Sequence, residues 1–318
     1  MGEPVDEFAS AVLVAAVRRA LAEAGIAVTA PASDGALVPL DAKRRLLADV
    51  AEAHGLLPLL RVGLSLPTLP PDPAISALTV ASTPRDLFER WSRLERFTHS
   101  RHRVVVREAG ATHLIAEHVG PPGSPPEPAE DALILGLLTA LLGAIGVHGL
   151  TVALDPRDAR VVFTDGVFTA PPPAHATALW RFAWSSIAPA VRPTGLAADV
   201  DVASQARRLL TGNLARRWTL GDLAAELGTS TRSLQRRLTA GGFTDLYGAA
   251  RAEAAADLLM NTEHPLGIVG FACGYADQPH FTREFRRRTA ITPAAYRSAF
   301  ARRCERPPYG RSETEMGT

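Results

Sequence analysis

The chain has 318 residues, 47% hydrophobic and 21% charged, a composition that excludes a disordered chain and can bury real cores in two domains. Two cysteines, Cys273 and Cys304, exclude a disulfide framework, and the start MGEPVDEF lacks the basic region of a secretory signal. The formal net charge of +1 hides an asymmetry: residues 201–304 hold 15 Arg against 9 acidic residues, whereas residues 1–200 hold 17 basic against 21 acidic side chains.

Taken in chain order, apolar periodicity predicts helices over Phe8 to Ala24, Asp41 to His54, Thr83 to Thr98, Glu130 to Val147 and Ala178 to Val191. Strands are expected over Arg103 to Glu108, His113 to His118, Leu150 to Leu154 and Arg160 to Phe168, which makes this part an α+β domain. Proline clusters at Pro67 to Pro73, Pro121 to Pro128 and Pro171 to Pro173 read as loops. The 16-residue apolar run from Ala132 to Val147 is short of a membrane span and reads as a buried helix, so a cytoplasmic location with no membrane partner is expected. His99, His102, His113 and His118 match no closed zinc spacing, and no metal or cofactor is expected. Trp180 and Trp184, four residues apart, suit core packing better than a ligand pocket. Periodicity lapses in RPTGLAADVD, placing a linker over 196–200 between a domain of residues 1–195 and one of residues 201–302. Residues 303–318 read as a disordered tail.

The C-terminal part holds one pattern written twice, displaced by 46 or 47 residues. Leu220, Leu223, Ala224 and Leu227 form the stripe of a core-facing helix that breaks at Gly228; Leu266, Val269, Gly270 and Cys273 repeat it before Gly274. A helix N-cap follows each glycine, Ser230 or Asp277, and a second helix then buries Leu234 and Leu238, or Phe281 and Phe285. Trp218, Thr219, Asp222 and Leu223 form a hydrophobic staple around a capping box. Two helices joined by a tight glycine turn, twice, predict an all-α domain of two helix-turn-helix motifs joined by a linker helix over Asp245 to Met260. Cys273 lies on the core stripe and is expected to be a buried apolar residue.

The stretches TLGDLAAELGTSTRSLQRRLTAGG and LGIVGFACGYADQPHFTREFRRRTAITPAAYR resemble the DNA-binding domain of the AraC/XylS transcription regulators, over residues 201 to 302. Gly270 departs from the alanine usual in that family and permits close packing; Pro279 falls in a first turn, where the amide it lacks has no intrahelical partner. The segment from Ile75 to Gly120 is similar to the arabinose-binding-type sensor of a subgroup of these regulators. The resemblance implies an activator of transcription, not an enzyme, that binds double-stranded promoter DNA and contacts RNA polymerase. An unidentified small-molecule effector and a homodimer are implied for the N-terminal part.

With Leu234 and Leu238 turned inward, Thr231, Arg232, Gln235 and Arg236 face outward, and the corresponding positions of the second copy are Gln278, Pro279, Thr282 and Arg283. Arginine forks to guanine, glutamine to adenine, and threonine meets a thymine methyl. Arg237, His280 and Arg287 complete the expected DNA-binding set, with phosphate contacts as the alternative role throughout. Two other functions stay open: an effector-independent DNA-binding regulator whose N-terminal domain only dimerises, and an enzymatic N-terminal domain fused to a DNA-binding module. No nucleophile–base spacing, phosphate loop or metal motif supports the latter, so no catalytic residue is named.

Overall fold

The computed structural model describes residues 8–28, 37–68, 72–98, 102–155, 160–173, 175–188, 202–238 and 241–301. The expected linker at 196–200, the tail at 303–318, His99 and Cys304 lie outside the described residues. The N-terminal elements are β1 (Phe8–Ser10), α1 (Ala11–Glu23), β2 (Leu37–Pro39), α2 (Leu40–His54), α3 (Leu57–Arg61), a 3-10 helix (Val62–Thr68), α4 (Pro73–Thr79) and α5 (Pro84–Phe97). They continue with β3 (Arg103–Ala109), β4 (His113–Val119), α6 (Pro128–Ala144), β5 (Val147–His148), β6 (Thr151–Leu154), β7 (Arg160–Thr164), β8 (Val167–Phe168), β9 (Leu179–Ala183) and β10 (Ser186–Ile187). Helices α7 (Val202–Gly212), α8 (Leu220–Glu226), α9 (Thr231–Arg237), α10 (Gly242–Asn261), α11 (Leu266–Ala272), α12 (Gln278–Thr289) and α13 (Pro293–Phe300) complete the chain.

Six strands form one antiparallel sheet in the order β3-β4-β9-β6-β7-β8. Alternation decides its faces: β4 buries Leu114, Ala116 and His118, and β9 buries Trp180 and Phe182, so one face is apolar. Phe88 of α5 meets Phe182 edge-on at 5.4 Å. The apolar run begins inside α6, where Leu133, Leu137, Leu138 and Leu141 are buried; it is a core helix, as expected. Among the described residues no helix is long and apolar enough to cross a membrane.

The helix expected over Ala178 to Val191 is instead strand β9 followed by β10. Residues four apart share a face in both periodicities, so the Trp180–Trp184 spacing could not discriminate; Phe182, buried between them, marks period two. The single strand expected over Arg160 to Phe168 is a hairpin turning at Asp165 and Gly166, both with positive φ (48° and 81°). Within the expected Pro67 to Pro73 loop, Pro67 lies in the 3-10 helix. Pro73 opens α4 behind the N-cap Asp72, whose carboxylate accepts from the amides of Ala74 and Ile75.

Two apolar clusters organise the C-terminal helices. Ala206, Leu210, Trp218, Leu223, Leu234 and Tyr247 hold α7, α8, α9 and α10 together. Val269, Phe271, Cys273, Phe281 and Phe285 of α11, α12 and the turn between them belong to the same continuous core as the N-terminal sheet. The bridge is α5: Phe97 and Phe271 meet edge-on at 6.4 Å. A side chain on Gly270 would come within 2.8 Å of Phe97 and 2.9 Å of Phe281, so the glycine of α11 admits two aromatic rings.

Candidate nucleic-acid interface

Each of the two similar helix pairs, α8/α9 and α11/α12, is built locally. Thr219 caps α8: its hydroxyl accepts from the Asp222 amide (3.0 Å) while Asp222 accepts from the Thr219 amide (2.9 Å). The hydrogen bond from the Thr219 hydroxyl holds the Asp222 carboxyl below its ordinary range. Trp218 is 7% exposed and donates to the Asn213 carbonyl (2.9 Å), a structural role. After Gly228, at φ 62°, Ser230 caps α9 by accepting from Ser233; after Gly274, at φ 77°, Asp277 caps α12 by accepting from His280 (2.7 Å).

On α9, Leu234 and Leu238 are buried and Thr231, Arg232, Gln235, Arg236 and Arg237 are exposed. No acidic side chain pairs with Arg232, Arg236 or Arg237 among the described residues, which leaves three cations on a helix of seven residues free to meet an anion. On α12, Phe281 and Phe285 are fully buried, Arg283 and Arg286 are exposed, and Thr282 is half-buried. Arg287 is ion-paired with Glu284 (2.9 Å), and Arg288 docks α12 on α10 through Asp245 (3.0 Å).

Two expected contacts are less free than the outward reading implies. The Gln278 Oε1 atom is buried without a partner, and the His280 Nδ1 atom accepts from the Ala276 amide (3.1 Å) while the ring rests on Tyr275. Burial keeps the His280 imidazole below its ordinary pKa, so it is the neutral ring that closes this turn. Both side chains sit at the mouth of the α11–α12 turn, where tertiary packing competes with solvent. Cys273 is 1% exposed and burial pushes its thiol up to about 12, matching its expected apolar role.

In the N-terminal part, histidines far apart in sequence come together. His102 and His118 meet edge-on at 5.5 Å, His118 Nδ1 lies 2.8 Å from Asp131, and His102 Nδ1 lies 3.4 Å from Glu130. Burial alone would raise the Glu130 carboxyl, but Lys43, the Glu127 amide, His102 and Arg44 hold it below its usual value. Asp131 also accepts from Thr177 (2.6 Å). Among the described residues no group of three such side chains could hold a metal ion. An acidic pair in the first turn of the long apolar helix was the available sequence signal for this cluster.

Residues 223–299 match the helix-turn-helix domain family, a span running from α8 into α13. The segment is a helix-turn-helix domain of the AraC/XylS type. The chain is 29% identical over 90 residues to the transcriptional activator FapR of Escherichia coli, covering 28% of this chain and 35% of FapR. It is 38% identical over 87 residues to the transcriptional activator NphR of a Rhodococcus species, covering 26% of each chain. The chain thus spans about a third or less of the length of these relatives. The crystal structure of the transcriptional regulator CdpR from Pseudomonas aeruginosa aligns with 90% of this chain and 97% of its own, at 18% identity and a TM-score of 0.37.

Proposed function

We propose that this chain is a sequence-specific DNA-binding regulator of transcription, acting as an activator, with α9 and α12 as the recognition helices of two helix-turn-helix motifs and α10 as the helix between them. The observation that carries the proposal is the surface of α9 within an AraC/XylS-type domain: arginines without acidic partners among the described residues, on a capped helix whose opposite side is locked into a core. Thr231, Arg232, Gln235, Arg236 and Arg237 meet one major groove. Arg283 and Thr282 meet the next, with Gln278 and His280 at its edge and Arg287 on phosphate. Residues 1–195 serve as the sensing and dimerising part, taking a small-molecule effector that adjusts DNA binding and contact with RNA polymerase in the cytoplasm. No catalytic role is assigned to any residue.

The test is selection of DNA by the full-length protein from a random-sequence pool, followed by protection mapping. Two protected blocks about one helical turn apart, ~10 bp, are expected. Recovery of unrelated sequences with uniform affinity would overturn the proposal. A reporter under the selected site then separates activation from repression.

A further inference from the structure

The loop of residues 213–218, between α7 and α8, carries no expected DNA contact, yet α4, α5, α8, α10 and the turn after α11 converge on it. Arg90 of α5, 1% exposed, donates to Asn213 Oδ1 (3.0 Å) and to the Ala77 carbonyl (2.7 Å), and pairs with Asp86 (2.8 Å). Arg93, 3% exposed, donates to the Ala215 carbonyl. Asn213 in turn donates to the Val80 carbonyl at the end of α4 (3.2 Å). From α10, the Tyr247 hydroxyl lies 3.1 Å from the Leu214 carbonyl and 2.7 Å from that of Arg216. From the first helix pair, Glu226 of α8 accepts from Arg216 of the loop (2.9 Å). From the second, Gly274 packs so close that a Cβ there would lie 1.9 Å from the Leu214 oxygen.

This convergence matters because the two helix pairs sit in different apolar clusters, α8/α9 in one and α11/α12 in the other. Apolar contact joins them through α10, which buries Tyr247 and Ala250 in one cluster and Ala255 and Leu259 in the other. The loop adds polar ties between them, and the groups that hold it from the N-terminal side are two buried guanidiniums, Arg90 paired with Asp86 and Arg93 bonded to the Ala215 carbonyl. Leaving a buried donor unmet is costly, so the bonds these guanidiniums make to the loop are directional in a way that apolar packing is not, although Arg93 Nε itself is buried without a partner among the described residues. The same helix reaches the second pair directly: the Arg93 guanidinium lies 5.7 Å from the Phe271 ring centre, and a Cβ on Gly267 would lie 2.9 Å from the Phe97 carbonyl.

We propose that Arg90 and Arg93 are positioning residues for DNA recognition: through the 213–218 loop, α5 of the N-terminal part fixes α9 relative to α12, so that both meet DNA as one rigid reader. The proposal rests on the reading of α9 and α12 as recognition helices. It gives the N-terminal part a lever on DNA binding, since any shift of α5 moves the loop that sets the two helices apart.

The experiment uses the full chain and a DNA duplex obtained by selection with it, then the same duplex with 1, 2 or 5 bp inserted between the protected blocks. Wild type should lose affinity with each insertion, by roughly 5–150-fold, the range of typical coupling between sites. Arg93→Ala should flatten that profile while retaining binding to each block alone, and Arg93→Lys, whose ammonium can still donate to the Ala215 carbonyl, should restore it. Asn213→Ala, which removes the Arg90 acceptor from the C-terminal side, should flatten it too, and it carries the test if Arg93→Ala does not fold. A spacing profile unchanged in a folded Arg93→Ala or Asn213→Ala variant overturns the proposal. Wild-type protein that selects no sequence overturns the recognition-helix reading itself, a distinguishable failure.

Discussion

Glu95 connects the pH dependence of stability to the helix that touches the DNA-binding part. It lies on α5, 6% exposed, and accepts from the Trp91 indole (2.8 Å) and the Val104 amide (3.0 Å), tying α5 to the start of β3. Burial outweighs these bonds and pushes its carboxyl up from 4.5 to about 7. In the unfolded chain the same group titrates near its ordinary value, so between about pH 4.5 and 7 the folded state binds a proton that the unfolded state has lost. A raised pKa contributes stability that is complete below the unfolded value and disappears as pH climbs through the folded one. The slope is roughly −1.4 kcal/mol per pH unit, or about 2–3 kcal/mol between pH 5 and 8. Glu95→Gln keeps an acceptor and cannot titrate. Urea unfolding of both proteins across that range, followed by tryptophan fluorescence, should show wild type losing about 2–3 kcal/mol relative to the variant as pH rises. Parallel curves, or a gap that grows toward acid, would refute the reasoning.

The other predictions concern the DNA reader. Arg236→Ala and Arg283→Ala should each cost about 1–3 kcal/mol on the selected duplex in a titration and relax preference at one base pair; equal losses on random DNA would assign them to phosphates instead. Gly274→Ala should lower stability by about 1–2 kcal/mol for its left-handed backbone, with a further loss from the clash with the Leu214 carbonyl. Gly228→Ala, at φ 62° with nothing within 4 Å of an added Cβ, should cost only the backbone part, and equal thermal midpoints for the two variants would contradict the close approach. A fragment of residues 196–318 should bind DNA more weakly than the full chain with the same steep salt dependence, and should melt lower because α11 loses Phe97. A fragment melting as high as the full chain would show that the shared core contributes nothing.

The helix pairs were readable because everything that builds them lies within a turn or two of sequence. The apolar stripes ending at Gly228 and Gly274, and the caps Thr219, Ser230 and Asp277 with hydrogen bonds three residues ahead, are local chemistry that residue order specifies. The exposed face of α9 follows from them, since burying Leu234 and Leu238 turns the arginines outward. Where two periodicities coincide, local order is silent: Trp180 and Trp184 share a face in a helix and in a strand, and only pairing of β9 with β4 and β6 decides between them. The remainder depends on partners distant in sequence. His118 with Asp131, Arg90 with Asn213 and Phe97 with Phe271 are brought together by packing of whole elements, and so are the half-buried states of Gln278 and His280. Hydrogen bonds and periodicity within one element are written in its own residues, whereas the docking of α5 on the 213–218 loop exists only once the sheet, α10 and both helix pairs are in place.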